Sequence, residues 1–141
     1  TGGTNVNLGT NALTLNGSGN NTFGGTIGGT GGVTVAGSGT QTLTGANTYT
    51  GGTLQLGNGG TSGSIAGNVV DNGALIVNQS GNVTIASVLS GAGSLTHAGS
   101  GQLPLTGTST LSGPTTVSAG TLAVNGSLGQ STVTVQNGAT V

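Results

Sequence analysis

The sequence predicts an all-β chain wound as a right-handed parallel β-solenoid (β-helix), with about 20–21 residues per turn. Three observations predict it. Apolar-x-apolar triplets recur at steps of 20 or 21 residues, and much of the pattern returns at a shift of 62. The stretches between are glycine-rich turn formers, with no 3.6-residue periodicity and no helix cap leading into an apolar stripe.

The triplets begin at Leu13, Val33, Leu54, Leu75 and Leu95 and read Leu-Thr-Leu, Val-Thr-Val, Leu-Gln-Leu, Leu-Ile-Val and Leu-Thr-His. Halfway between them stand Phe23, Leu43, Ile65, Ile85 and Leu105, at steps of 20, 22, 20 and 20. Each turn then holds at least two short strands whose side chains alternate inward and outward. The Asn-Gly, Gly-Gly and Gly-Ser-Gly stretches between them are expected to supply the positive φ angles of tight turns. One turn of this length cannot bury its inner face. Stacked turns can, because like residues superpose into ladders and strands lie ~4.8 Å apart. The two apolar sets should form two inward ladders, with Thr14, Thr34, Thr40, Thr42, Thr44 and Thr96 outside. Some seven turns make a rod roughly 30–35 Å long.

The 62-residue shift lays residues 12–53 over 74–115 without a gap, and 20 of the 42 aligned positions are identical. Residues 1–141 therefore read as a single solenoid segment with an internal repeat. The pattern stretches once. Thr53-Leu54 aligns best with Thr121-Leu122, which makes residues 115–120 an insertion, expected as a longer loop or an added strand segment. Pro104 and Pro114 lie nearby, where a central ladder position disfavours proline.

Composition removes several function classes. The chain has no Lys, no Arg, no Cys, one acidic residue (Asp71) and one histidine (His97). Nucleic-acid binding and attraction to an anionic membrane surface both need Lys and Arg. No apolar run is long enough to span a bilayer, and residues 1–20 lack a basic start and an apolar h-region, so an export signal would lie outside this segment. A disordered chain would suit the glycine content, but its apolar residues would not fall at regular intervals.

Two stretches carry a resemblance. Leu89-Ser-Gly-Ala-Gly-Ser-Leu-Thr-His-Ala-Gly-Ser-Gly-Gln-Leu-Pro-Leu-Thr-Gly107 resembles the autotransporter-associated β-strand repeat, also called the passenger-associated transport repeat. Gly39-Thr-Gln-Thr-Leu-Thr-Gly-Ala-Asn-Thr-Tyr-Thr-Gly-Gly-Thr53 resembles it too, most specifically over Gly-Ala-Asn-Thr-Tyr-Thr-Gly-Gly-Thr, and Ala119-Gly-Thr-Leu122 completes the motif. The resemblance covers Ala12 to Leu122. It implies a β-helical passenger at the bacterial outer cell surface or secreted, exported through the outer membrane by a C-terminal barrel and serving as adhesin, fibre or stalk. His97 departs from the pattern, standing where the family commonly has Lys, and no C-terminal barrel lies within these residues.

No residue is assigned a catalytic, cofactor-binding or metal-binding role, and the chain is not read as an enzyme. A Ser-His-Asp site would need His97 and Asp71 together. Asp71, however, precedes Asn72-Gly73 and reads as a turn cap, with His97 about one turn further on. His97 fills the slot held by Leu15, Val35, Leu56 and Val77 in other turns, so it is expected to face inward or close a strand, hydrogen-bonded to backbone. Calcium-binding Gly-Gly-x-Gly-x-Asp repeats lack their Asp here, and no Gly-Lys-Ser/Thr follows Gly28-Gly29-Thr30-Gly31-Gly32. Tyr49 and Phe23 are the only aromatic residues, too few for a platform of stacked rings. Asn-x-Ser/Thr triplets begin at Asn16, Asn20, Asn78, Asn82 and Asn125, as repetition in an Asn-, Ser- and Thr-rich chain produces.

The expected function is therefore structural: a surface or secreted segment that adheres, forms fibres or self-associates. Its partners would be further copies of itself, adjoining repeats of a longer chain, or a host or neighbouring-cell surface. Nucleic acid and membrane insertion are not expected. Neither end reads as a polar cap, and near-zero charge weakens repulsion between copies. A stalk that displays another domain is the alternative. Ice binding through Thr40, Thr42 and Thr44 is a third, weakened because the matching Gln102, Pro104 and Thr106 do not continue the row.

Overall fold

Strands two to four residues long, most of them starting five to eight residues after the last, find partners only one turn before and one turn after. The computed structural model describes residues 4–36, 41–61 and 63–141. Among the described residues there is no helix, and every strand pairing is parallel. The first turn holds β1 (Val6–Asn7), β2 (Leu13–Leu15) and β3 (Asn21–Phe23), and the second β4 (Ile27–Gly29), β5 (Val33–Val35) and β6 (Gln41–Leu43). The third holds β7 (Asn47–Tyr49), β8 (Thr53–Leu56) and β9 (Ser64–Ile65), and the fourth β10 (Val69–Asp71) and β11 (Ala74–Val77). Then follow β12 (Leu89–Gly91), β13 (Ser94–His97) and β14 (Gln102–Leu105), and β15 (Thr108–Leu111), β16 (Thr115–Val117) and β17 (Thr121–Val124). β18 (Ser127–Leu128) and β19 (Val133–Val135) begin a further turn.

These strands make a three-faced β-solenoid. β1, β4, β7, β10, β12, β15 and β18 form the first face, and β2, β5, β8, β11, β13, β16 and β19 the second. The third face is split into β3-β6-β9 and β14-β17. The weak pairing of residues 83–85 with β14, on one side of this break, has a chemical cause. Val83 N–H donates to Gln102 O, Ile85 N–H to Pro104 O, and Thr106 N–H to Ile85 O. The donor missing from that series belongs to position 104, where proline has no N–H. Ile85 keeps a single bridge to Leu105.

Both expected apolar ladders are present. Leu13, Val33, Leu54, Leu75 and Leu95 are successive partners on the second face. Phe23 pairs with Leu43, Leu43 with Ile65, and Ile85 with Leu105 on the third. The glycine-broken first face, which the apolar spacing does not reveal, adds another inward column through Val6, Ile27, Asn47, Val69, Leu89, Ser109 and Leu128. Asn47, Val69 and Leu89 are its directly paired centre.

The insertion expected at residues 115–120 does not exist. Leu95 pairs with Thr115 and His97 with Val117, so β16 is an ordinary rung of the second face, 20 residues after the last. Thr121-Leu122 belongs to the third face, opposite Gln102-Leu103, and is not equivalent to Thr53-Leu54. The misalignment arises because Thr115 occupies the slot that Leu54 fills elsewhere. Fully buried, it satisfies its hydroxyl against Ser131 Oγ at 2.7 Å, so a polar residue holds a core position and hides the rung.

The corners meet the expectation in part. Among the described residues nine glycines have positive φ, Gly29, Gly59 and Gly138 among them, but Gly52, Gly73 and Gly113, which stack at one corner, do not. They are glycine because the preceding turn lies against them. A Cβ on Gly52 would strike the Gly31 carbonyl, one on Gly73 the Gly52 carbonyl, and one on Gly113 the Gly93 carbonyl. Gly45, Gly67, Gly107 and Gly126 repeat this at a second corner. Close approach of backbones, more than turn geometry, accounts for the glycine content.

Asparagine completes the corners. Asn47, 1% exposed, accepts from Ile27 N–H through Oδ1 at 2.8 Å and donates from Nδ2 to Gly45 O at 3.0 Å. Asn68 Oδ1 serves Val88 N–H, Asn82 Oδ1 serves Gln102 N–H, and Asn72 Oδ1 serves Ala92 N–H. Asn47→Ala leaves the Ile27 amide and the Gly45 carbonyl without these partners. Its expected cost is about 2 kcal/mol in urea unfolding, against less than about 0.5 kcal/mol for Asn58→Ala at an exposed turn.

Candidate functional site

The titratable side chains of a charge-poor chain are the natural place to look for chemistry. The structure buries all of them. Asp71 and His97 are each 1% exposed and Tyr49 is fully buried. Asp71 caps the turn, as its sequence context suggests, by accepting from Gly73 N–H through Oδ1 at 2.9 Å. Its other oxygen, Oδ2, lies in the interior with no hydrogen-bond partner. Burial raises the Asp71 carboxyl above the usual range, while the Gly73 and Leu75 amides pull the other way. Tyr49 pairs with Asp71 in the ladder, its hydroxyl likewise unpartnered. Burial, and secondarily the nearby Asp71, pushes the Tyr49 phenol well above its ordinary value.

His97 takes the inward slot between Val77 and Val117, in the column of Leu56. Its Nε2 lies 3.0 Å from Gly101 O, an acceptor, so Nε2 carries the proton and donates. Nδ1 is buried without a partner, as is Ser87 Oγ. His97 and Asp71 thus stand on different faces, each bonded to backbone, and the structure does not bring them together as a catalytic pair. Among the described residues no group of three or more His, Asp or Glu is placed to hold a metal ion.

A cavity of about 260 Å³ opens at the start of the rod. Val6, Leu13, Leu15, Phe23, Ile27 and Leu43 line it, with Asn21 and Gln41 among its polar residues. It lies against β1, β2 and β3, the first described rung of the apolar column. No helix among the described residues is long and apolar enough to cross a membrane.

The outer surface carries hydroxyls and amides. Thr14, Thr34, Gln55, Ile76, Thr96, Thr116 and Thr134 form one outward column on the second face. Of the row considered for ice binding, Thr40 lies outside the described residues. Thr42 accepts from Ser64 Oγ at 2.9 Å, and Thr44 Oγ1 donates to Phe23 O at 3.4 Å, so both hydroxyls are engaged within the rod. Asn16, Asn20, Asn82 and Asn125 are exposed and Asn78 half-buried; Asn82 is committed to its corner bond.

The sequence motif with the most specific spelling, Gly45-Ala-Asn-Thr-Tyr-Thr-Gly-Gly-Thr53, can now be read atom by atom. Gly45 and Gly52 are corner glycines against carbonyls, Asn47 caps the adjacent strand, and Tyr49 fills the interior. These distinctive residues build the rod.

Comparison with known proteins agrees with this geometry. A family model described as the passenger-associated-transport-repeat matches residues 33–77 and 95–124, together just over half of the chain. The two matches begin at Val33 and Leu95, partners three rungs apart in one inward ladder. A 45-residue stretch is 56% identical to an adhesin described as BmaC autotransporter, from Brucella suis biovar 1 (strain 1330). That stretch covers 32% of this chain and 1% of the adhesin. No solved structure matches.

Proposed function

Because the chain belongs to the passenger-associated transport repeat family, we propose that it is a rod-forming segment of an extracellular adhesin, contributing reach and self-association and no catalysis. The observation that carries this reading is that every ionisable side chain is buried. The outer faces offer only uncharged hydroxyls, amides, glycine and a few aliphatic groups such as Val70 and Val124. Such faces have no charge to repel a like surface, and they give flat, repeated hydrogen-bonding columns to a neighbour. The similarity to an autotransporter adhesin supports placement at the cell surface or in the secreted fraction.

The test is sedimentation and electron microscopy of the purified segment across concentration and salt. Association that increases with protein concentration and is not weakened by added salt is the expected result, since no exposed charge pair is available for screening. A monomer that persists at tens of micromolar removes self-association and leaves a stalk that displays another domain.

A further inference from the structure

Asp71 is the only acidic side chain in 141 residues, and there is no Lys or Arg anywhere to neutralise it. Its placement makes that shortage matter. On β10 it is stacked between Tyr49 of β7 and the Gly91 position of β12, inside the rod and 1% exposed. A Cβ built on Gly93 would stand 2.5 Å from Asp71 Oδ2, so the oxygen lies directly against the next corner and is sealed from solvent. Oδ1 takes one well-formed bond, from the Gly73 amide, Oδ2 takes none, and the Leu75 amide adds only a smaller pull toward the ionised form. Carboxylates that stay ionised in an interior commonly accept two or three such bonds or face a cation.

The surroundings offer no substitute. Of the elements packed on β10, β7 brings the Tyr49 hydroxyl, which makes no hydrogen bond, while β12 and the Gly93 corner bring no titratable group. β11 contributes Leu75 and Val77. On β13 the one histidine is occupied with Gly101 O. We propose that Asp71 is held in the folded rod as the neutral carboxylic acid, making the Tyr49–Asp71 rung an acid-stabilised step in the solenoid. This is independent of whether the rod self-associates.

The sign follows from proton counting. The folded chain keeps its proton at pH values where the unfolded chain, with an aspartate near 3.9, has lost it. Stability from this group is complete below that value and falls as pH rises, by up to tenfold in the folded-to-unfolded ratio per pH unit, until the folded carboxyl ionises. This is opposite to the usual acid denaturation of paired carboxylates.

Two measurements test it on the intact segment. In the first, urea unfolding of the wild type and Asp71→Asn is followed from about pH 4 to pH 8, and the difference between the profiles isolates Asp71 from His97 and the chain termini. Asp71→Asn is expected to gain on the wild type as pH rises, at up to tenfold per unit, and to be the more stable protein at neutral pH. In the second, the side-chain carboxyl is observed directly by infrared or carbon-13 spectroscopy, with Asp71→Asn for assignment. The protonated form is expected to persist in the folded chain to higher pH than in the same chain unfolded in urea. A folded Asp71 carboxyl that ionises no later than the unfolded one, or a pH-independent difference between the two proteins, overturns the proposal. If Asp71→Asn fails to fold, segmental carbon-13 labelling of the wild-type Asp71 carboxyl decides alone.

Discussion

Gly52→Ala is expected to destabilise the rod by about 3 kcal/mol, while Gly51→Ala, one residue earlier, changes stability by less than about 1 kcal/mol and in the stabilising direction. The two glycines are neighbours, and neither has positive φ, so conformational preference cannot separate them. Space does. Nothing lies within 4 Å of a Cβ built on Gly51, whereas one on Gly52 would collide with the Gly31 carbonyl and with Thr30 O. Those obstacles are backbone atoms of the preceding turn, and moving them disturbs the hydrogen bonds between rungs. Urea midpoints with unchanged m-values read the difference. Equal effects at the two positions would mean that the turns do not stack as closely as the corner glycines require.

Leu54→Ala carries the second large effect. Leu54 is fully buried halfway along the second face, between Val33 and Leu75. Truncation removes apolar contacts and opens a cavity that a rod held from three sides cannot close, at an expected cost of about 3 kcal/mol within the usual range of 2–5. Thr34→Ala, in the outward column one rung earlier, should cost less than about 1 kcal/mol. Because each rung contacts mainly its neighbours, the loss is expected to be local, loosening the third turn ahead of the rest. Hydrogen exchange resolved along the chain shows whether it is. A uniform loss of protection at both ends and centre would speak for a single cooperative core instead.

The second and third faces were legible because Leu, Val and Ile recur on them at a steady interval. The first face was not. Its inward positions include Asn47, Tyr49, Asp71, Ser109 and glycine, and an apolar spacing search passes over such residues. Asn47 could have been found through the Gly-Ala-Asn-Thr-Tyr motif, since an amide side chain can cap strand ends at corners where aliphatic residues cannot. Thr115 misled for the related reason that a satisfied hydroxyl can occupy a leucine slot. The inward turn of His97 was readable from its column alone. The buried, unpartnered oxygen of Asp71 was not, because only the stacking of Gly93 against it shows that the side chain is sealed.

The stacking itself can be measured in solution. The chain has no cysteine, so spin labels can be placed in pairs at outward positions of the second face. Thr14 with Ile76 spans three ladder steps, and Thr14 with Thr116 spans five. At ~4.8 Å per step, the solenoid predicts backbone separations of roughly 14 Å and 24 Å, so the mean label distance should lengthen by about 10 Å between the pairs. Distances that do not grow with the number of rungs, or that spread broadly as in an extended chain, would contradict a rod built from one rung every twenty residues.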